Sequence, residues 1–371
     1  MRKGAGDILA LFRKAVRAVK RLCCGLLLVC LLFGLLTARG DSAVPVGTPE
    51  QLLAIAQNPG GHYRLTGHID LKGIPWLPIP FSGILDGAGY SIVNMRVDQP
   101  GMDTAQTVDG NDKVYLSRFA GLFSVVRGAQ IHDLDLRNVQ VEITTADNCF
   151  AAGLAGFAED TVIENVTVSG RVRLTQSNVM TGVGGLVGFG MAVIRDCQAQ
   201  AELVFVDTNQ DVRCEQFMGG VLACGYGDIE NTSVRFTGFA SVYGYVHIGG
   251  LVGMYHTHRE QDAERRGVIA GCRIHAAIDF FEKNTDRRAY CYPFTGEKLN
   301  RLVKIRDNKV LRFRDREHKR YDKPLLPEKD ANPEYVHVVT PPARDAWGFT
   351  TYTCASCHYS YFDHFTAPTG P

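Results

Sequence analysis

The chain has 371 residues, a formal net charge of +1 and 45% hydrophobic residues. This length is sufficient to bury a large core, and the neutral balance of charge argues against nucleic acid as the main partner. The 39 glycines fit a fold with many turns.

The N-terminal segment 1–40 has the pattern of a secretory signal peptide. Basic residues dominate as far as Arg21, and an uncharged apolar run follows from Leu22 to Ala38. Small residues at Ala38 and Gly40 predict cleavage after Gly40. An uncleaved anchor is the alternative, because a bilayer span needs about 17–25 apolar residues. We therefore expect a secreted or cell-surface protein that contacts a membrane only if this leader is retained.

Residues 44–80 are predicted to form an N-terminal cap. Pro49 suits the first position of a short helix that reaches Gln57, with Thr48 as the N-cap and Gln51 reaching back as in a capping box. A stack of repeats leaves its first coil open and needs a polar-faced cap. An amphipathic helix over the first coil would supply one.

Residues 81–280 contain imperfect repeats, each marked by a glycine before an apolar residue. The marker glycines are 32, 32, 35 and 30 residues apart, which predicts a stacked repeat architecture. Within the repeats apolar and polar residues alternate, as in Val166, Thr167 and Val168, so each unit consists of strands with one buried face. The marker glycines are Gly121, Gly153, Gly185, Gly220 and Gly250.

Each repeat also contains a predicted corner. Ile163 and Val166 both belong to the buried face although they are three residues apart, so the alternation shifts by one residue at Asn165. Asn, Asp and Gly tolerate the left-handed backbone conformation that such a bend requires. Stacked corners of this type predict a parallel β-helix, whereas a β-sandwich would not need the same bent tetrapeptide in every unit. The predicted corners are Asn94, Asp133, Asn165, Asp196, Asn231 and Gly271.

The repeats resemble the GLUG motif of exported bacterial proteins. The motif is represented by Gly184-Gly185-Leu186-Val187-Gly188 and the following Ile194-Arg195-Asp196-Cys197, in five copies over about 120–280. The lead-in from Val46 resembles that of the same proteins. The resemblance implies a right-handed β-helix on a cell-surface or secreted protein. The fold that we predict is all-β, a right-handed parallel β-helix with an N-terminal helical cap and a small C-terminal module. It implies no catalytic activity.

Two polar insertions interrupt the repeats, at 98–117 and 254–267. Insertions in repeat proteins map to loops on one face, which is often the binding face. The second insertion contains His256 and His258, followed by acidic residues. We consider these two histidines as candidate binding residues, with a solvated polar loop as the alternative.

Segment 281–345 is predicted to be a basic hairpin and a linker. Two short apolar-basic runs flank Asp307-Asn308, a typical hairpin turn, and Pro324 to Pro342 is rich in proline. Between Arg301 and Lys323 there are ten Lys/Arg and four Asp/Glu. A basic hairpin face is a candidate site for an anionic glycan, or simply a solvated face. Its candidate residues are Lys304, Arg306, Arg312 and Arg314.

Segment 346–371 contains Cys354-Ala355-Ser356-Cys357-His358, which matches the haem c attachment motif. Its flanks, from Gly348 to Cys354, resemble a Gly-Tyr-Thr-x-Tyr-Thr-Cys-x-x-Cys-Gly module of exported Gram-positive proteins, although Arg344 and His358 replace its upstream Cys and its Gly. We favour a structural zinc or a disulfide over haem. The predicted zinc ligands are Cys354, Cys357, Cys291 and His337.

Other polar residues of the repeats have simpler explanations. Cys197 and Cys272 fall two coils apart, nearly 10 Å, which exceeds the roughly 7 Å limit for a disulfide, so both are predicted to be free and buried. Asp86 precedes a glycine and fits a turn. Asp133 occupies a corner where asparagine serves elsewhere.

No constellation of catalytic residues stands out in the sequence. We therefore expect a non-enzymatic exported protein that acts in adhesion or in binding a cell-wall glycan, a host glycan or a surface protein. The alternative is a polysaccharide lyase or glycoside hydrolase of the β-helix type, which would require paired carboxylates or a basic catalytic residue with calcium. Fold alone does not decide between them.

Overall fold

A computed structural model describes most of the chain after the leader. The chain divides into two compact units, Met1–Ala43 and Val44–Pro371, and the leader lies outside the described residues. None of the helices in the described part has the length and apolarity that a membrane crossing requires. The described residues are 43–109, 113–176, 178–208, 215–242, 244–256, 267–282, 289–296, 303–318, 335–341, 348–354 and 360–366.

The fold is mostly β, with one short helix near the N-terminus. Helix α1 spans Pro49–Ala54 and continues as a 3-10 turn over Ile55–Gln57. In the described part of the chain the strands are β1 Val44–Val46, β2 His62–Leu65, β3 Ile69–Asp70, β4 Ile79–Phe81, β5 Ile84–Asp86, β6 Ser91–Val93, β7 Arg96–Val97, β8 Thr104–Val108, β9 Val114–Ala120, β10 Phe123–Arg127, β11 Gln130–Thr145, β12 Cys149–Ala152, β13 Ala155–Gln176, β14 Met180–Gly184, β15 Val187–Arg195, β16 Gln198–Asp207, β17 Glu215–Gly219, β18 Leu222–Tyr226, β19 Ile229–Glu230, β20 Ser233–Val242, β21 Tyr245–Gly249, β22 Val252–Tyr255, β23 Gly267–Ala270, β24 Arg273–Glu282, β25 Ala289–Tyr292, β26 Val303–Arg306, β27 Lys309–His318, β28 Tyr335–Thr340, β29 Gly348–Cys354 and β30 Ser360–Thr366.

Parallel pairing joins each repeat to the next. Strand β11 pairs with β13, and β13 pairs in turn with β15 and β16. The isoleucine before each corner pairs with the isoleucine of the next repeat, so these side chains form a column, and most of them are fully buried. This large parallel sheet fits a β-helix. The column contains Ile131, Ile163, Ile194, Ile229, Ile269 and Ile305.

A second sheet of seven strands lies on the other side of the main core. Its order is β25-β21-β17-β14-β12-β9-β8, and all of its pairs are parallel except the β8–β9 hairpin. A separate apolar cluster flanks the core, where aromatic rings from five strands of this sheet stack on one another. The stacked rings are Phe119, Phe150, Phe217, His247 and Tyr290.

The glycines of the main sheet allow successive strands to pass very close. Gly225 pairs with Gly190 and has a φ of 152°. A Cβ at Gly225 would lie 1.9 Å from the Gly190 carbonyl oxygen. Only glycine satisfies both the dihedral angle and the contact.

The six predicted corner residues all have a positive φ, between 50° and 67°. They do not form one column, however. Asn94 Nδ2 donates to Asp70 Oδ1 and its Oδ1 accepts from Asn138 Nδ2, each at 2.7 Å. Asn94 therefore belongs to a second set of bends, and its assignment to the column of Asp133 was wrong. The sequence does not distinguish the two sets of bends. Both contain the pattern Ile-x-Asn, because both need a residue that tolerates the left-handed backbone conformation.

The predicted hairpin around Asp307 is also wrong. Strands β26 and β27 do not pair with each other; each pairs in parallel with a strand of the preceding repeat, β23 and β24 respectively. Asp307 has a φ of 57°, and Asn308 Oδ1 accepts from the backbone of Cys272 at 2.8 Å. Asp307 is thus a further corner, and the repeats continue beyond residue 280 to His318.

Two other boundaries need correction. The insertion 98–117 is largely the β8–β9 hairpin, which extends the seven-stranded sheet as its edge and does not project as a polar loop. The Pro-rich linker contains strand β28, which forms an antiparallel three-stranded sheet with β29 and β30. Backbone hydrogen bonds to neighbouring strands explain why these segments are regular despite their polar sequence.

The N-terminal helix packs against the main core. Thr48 Oγ1 accepts from the backbone of Gln51 at 3.3 Å, whereas Gln51 Oε1 accepts from Gly47 at 2.7 Å, one residue before the position expected. Leu52 and Ile55 are fully buried in the main core. The indole of Trp76 donates to the Leu122 carbonyl at 2.8 Å, which ties the cap to the first repeat.

Candidate functional site

Three polar side chains lie side by side on the outer face of the first coils. Strand β2 pairs with β5 and β5 pairs with β11, so that Arg64, Asp86 and His132 are direct neighbours in register. Each precedes a bend, and alternation directs all three away from the core. With the corner residue Asp133 and its partner Asn165, they form a group that we call the corner cluster.

Charged contacts determine the geometry of the corner cluster. Arg64 Nη1 lies 3.0 Å from Asp86 Oδ2, and Asp86 Oδ1 accepts from the backbone of Ala88 at 2.7 Å. His132 Nδ1 lies 2.9 Å from Asp133 Oδ2 and 3.8 Å from Asp86 Oδ1. Within the described ranges, Asp86, His132 and Asp133 are the one group of three such residues whose ligand atoms all lie within 4.8 Å of one another.

The electrostatics of the corner cluster favour an ionised Asp133. Asn165 Nδ2 donates to Asp133 Oδ1 at 2.6 Å. This hydrogen bond, followed by the contact with His132, holds the pKa of Asp133 below its ordinary value. The carboxylate therefore accepts hydrogen bonds or binds cations at neutral pH, and it does not act as a proton donor.

A second polar group lies just beyond the corner. The Asp135 carboxylate contacts Arg137 and accepts from Ser91 Oγ at 3.4 Å. The Ser91 backbone donates to His68 Nδ1 at 3.1 Å. The main contact of Asp135 is therefore an ion pair with Arg137.

A partly buried ion-pair ladder crosses strands β11, β13 and β16. Arg171 lies 2.7 Å from Glu202 and 3.3 Å from Glu142. Burial would lower the pKa of Arg171, but these two carboxylates raise it above its ordinary value. Burial raises the pKa of Glu202 to about 7, against the opposing effect of Arg171. Glu202 was not recognised in the sequence, because only the structure shows that the outer face of β16 is covered.

The predicted zinc ligands are not brought together among the described residues. Cys291 lies in β25 of the seven-stranded sheet and packs against the main core, where burial raises the pKa of its thiol. His337 lies exposed in β28 of a different sheet. The side chain of Cys354 and all of Cys357 lie outside the described residues. The zinc site therefore stays a prediction.

The other predicted binding residues are distributed over the molecule. His256 is half-buried, with its backbone amide donating to Gly225 at 2.9 Å, and His258 lies outside the described residues. Of the four predicted basic residues in the last described coil, Arg314 is half-buried and the other three are solvated. The solvated residues are Lys304, Arg306 and Arg312.

The repeat cysteines are free and buried, as predicted. Both Cys197 and Cys272 face the core. Burial raises their pKa values to about 12 and about 11 respectively. These thiols pack as small apolar groups.

The pairing of Asp86 with His132 was missed in the sequence. The β8–β9 hairpin lies between the two coils, so these residues are separated by more than one repeat length. The spacing of the later repeats therefore did not predict that these two residues are neighbours. The signal that would have aligned them is Leu85-Asp86 beside Ile131-His132, which are in register.

Comparisons with known proteins add little to this description. No protein-family model and no curated protein matches the chain. Among solved structures, the chain is similar to one described as a "putative immunoglobulin A1 protease from Bacteroides ovatus", with 13% identity and a TM-score of 0.49. The match covers 75% of this chain and 78% of that chain. A likeness at this level carries no argument about activity.

Proposed function

We propose that the chain is an exported, right-handed parallel β-helix that binds a surface glycan or surface protein without catalysis. The in-register pairing of successive repeats and the isoleucine column support the β-helix. The basic and apolar leader supports export. The GLUG-like repeats are typical of such proteins.

The observation that carries the binding proposal is the exposed apolar face of the β8–β9 hairpin. Val114 and Leu116 of β9 expose 54% and 64% of their surface, and Met102, two residues before β8, exposes 77%. Val114 and Leu116 alternate along β9, so they share one face, while Tyr115 between them packs on the aromatic cluster. Exposed apolar side chains grouped on a rigid element are typical of a surface that binds a partner.

The charges around the corner cluster support a non-catalytic function. A retaining glycosidase needs two carboxyl groups about 5–5.5 Å apart, one of which is kept protonated. Asp86 and Asp133 are close enough, but Asp86 forms an ion pair with Arg64 and Asp133 has a lowered pKa. Neither is placed to donate a proton to a leaving group.

A binding screen of the full chain against glycans and isolated cell walls tests the proposal. We expect saturable binding that weakens at least tenfold when Met102 and Leu116 are both changed to Glu. Leu77→Glu, at an apolar residue of the N-terminal segment that exposes 40% of its surface, is the control and should bind as the unchanged chain does. Equal binding by the double variant and the control would contradict the assignment of this face.

One observation favours the enzymatic alternative. Glu202, with a pKa of about 7, is the kind of carboxyl that serves as a general acid. Its side chain is only 7% exposed and lies 2.7 Å from Arg171, which argues for a structural ion pair. Release of reducing sugars or unsaturated products from acidic polysaccharides, abolished by Glu202→Gln, would establish the enzyme and refute the binding-only proposal.

A further inference from the structure

We propose that the corner cluster binds one divalent transition-metal ion, of which zinc is the representative, through Asp86, His132 and Asp133. This inference goes beyond the proposed function and does not depend on it. Three possible ligand atoms lie close together, since Asp86 Oδ1, His132 Nδ1 and Asp133 Oδ2 are within 4.8 Å of one another. These side chains come from two neighbouring coils whose register is fixed by backbone pairing.

Both carboxylates are held by contacts to their other oxygen atoms, and Asp86 Oδ1 in addition accepts a hydrogen bond from the Ala88 backbone at 2.7 Å. Arg64 contacts Asp86 Oδ2 at 3.0 Å, and Asn165 donates to Asp133 Oδ1 at 2.6 Å. Asp86 Oδ1 and Asp133 Oδ2 are therefore the oxygens that face the imidazole. Hydrogen bonds and ion pairs that fix the orientation of a ligand side chain reduce the free energy needed to arrange it around a metal. Such contacts are usual around metal sites.

The ligand set selects the class of metal. One imidazole nitrogen and two carboxylate oxygens suit zinc and similar divalent transition metals. Calcium, which takes about 6–8 oxygen ligands, is poorly matched. His132 and Asp133 expose 34% and 46% of their side chains, which leaves the fourth position open to water or to a group of a partner molecule.

The positive charge of Arg64 opposes the metal. It also shares the Asp86 carboxylate, and both effects weaken binding relative to a site without this neighbour. The two acidic side chains outweigh the one guanidinium in charge, so the cluster still attracts a cation. Arg64→Gln is therefore expected to strengthen binding, which a purely structural cluster would not do.

The test is titration of the metal-free full chain with Zn²⁺ by calorimetry, with Co²⁺ absorption as a second readout of coordination. Because the predicted tail site at Cys354 and Cys357 would also bind zinc, both cysteines are first changed to Ser. We expect one equivalent of Zn²⁺ to bind this variant. Binding should weaken at least tenfold with either Asp86→Asn or His132→Gln.

His275→Gln is the matched control, since His275 lies on an outer face beside Arg235 and Arg312, not beside acids. Circular dichroism without metal establishes that each variant is folded. The proposal is overturned if the tail-cysteine variant binds no zinc, or if His132→Gln and His275→Gln bind it equally.

Discussion

Single residues at the corners determine where the chain bends. Asn165 has a φ of 51°, and its amide spans two coils by donating to Asp133 at 2.6 Å. A left-handed conformation costs an ordinary L-residue roughly 1–2 kcal/mol, and asparagine tolerates it better. The corner therefore selects Asn, Asp or Gly for their backbone, and Asn in addition for its hydrogen bond.

Substitutions at Asn165 separate these two contributions. Asn165→Gly keeps the dihedral angle but loses the hydrogen bond, so the free energy of unfolding should fall by about 1 kcal/mol. Asn165→Ala should lose a further ~1 kcal/mol because alanine is strained at positive φ. Urea unfolding measures both. Equal losses in the two variants would show that the dihedral angle contributes nothing.

Buried thiols give a second prediction at this scale. Cys197 and Cys272 have pKa values raised by burial to about 12 and about 11. Because the thiolate is the reactive form, neither should be alkylated in the folded protein at pH 7. Mass spectrometry after iodoacetamide treatment, with urea-unfolded protein as the control, identifies the modified residues. Rapid native labelling of either cysteine would contradict its burial.

His247 predicts a pH dependence of stability. It stacks between Phe217 and Tyr290, and burial lowers its pKa to about 4. The unfolded chain therefore binds a proton at this imidazole more tightly than the folded chain does. The stability that the neutral imidazole contributes to the fold is complete above about pH 6.5 and is lost as the pH falls towards 4. When the pH is lowered from 7 to 5, the free energy of unfolding should fall by about 2 kcal/mol less in His247→Phe than in the unchanged chain. Parallel unfolding curves at both pH values would refute the buried neutral imidazole.

At the scale of strands, the close approach of neighbouring backbones restricts the choice of residue as strongly as hydrophobic alternation does. Strands β15 and β18 meet at Gly190 and Gly225, where a side chain would overlap the neighbouring backbone. Glycine is therefore required at this contact, although the strands on either side have Ala158 and Tyr255 at the paired positions. Substitution there should affect two coils at once.

Gly225→Ala should lower the free energy of unfolding by about 2–4 kcal/mol, since it adds both backbone strain and a steric clash. Gly67→Ala is the matched control, because a Cβ at Gly67 meets no atom within 4 Å. The control should change stability by less than about 0.5 kcal/mol. Denaturant unfolding compares the two. A tolerated Gly225→Ala would mean that these strands are not in the observed register.

At the scale of the whole molecule, the two ends of the stack differ. Helix α1 and the 3-10 turn after it bury Leu52 and Ile55 in the main core. In the last described coil, Ile305 and Leu311 expose 43% and 62% of their surface. The column position that is fully buried in the middle of the stack is thus partly exposed at its C-terminal end.

The parallel pairing of the regular repeats could be predicted from the sequence, because corner and alternation recur together from Ile131 to Gly271. The final coil was missed because Asp307-Asn308 is equally typical of a hairpin turn, and only pairing with the previous coil distinguishes the two. Asn94 was misplaced for a similar reason. The neighbours Asp86 and His132 escaped detection because the inserted β8–β9 hairpin breaks the period between them.

Distances between spin labels along one column of paired residues test the stacking most directly. Arg96, Gln140, Arg171, Glu202, Thr237, Ala277 and Arg314 are successive partners in the parallel sheet. With about 4.8 Å per coil, backbone separations from Arg314 should be about 24 Å to Gln140 and about 29 Å to Arg96. Labels attached through non-canonical amino acids leave the native cysteines unchanged. Double electron–electron resonance should give two narrow distributions that differ by about 5 Å, whereas equal or broad distributions would contradict the stack.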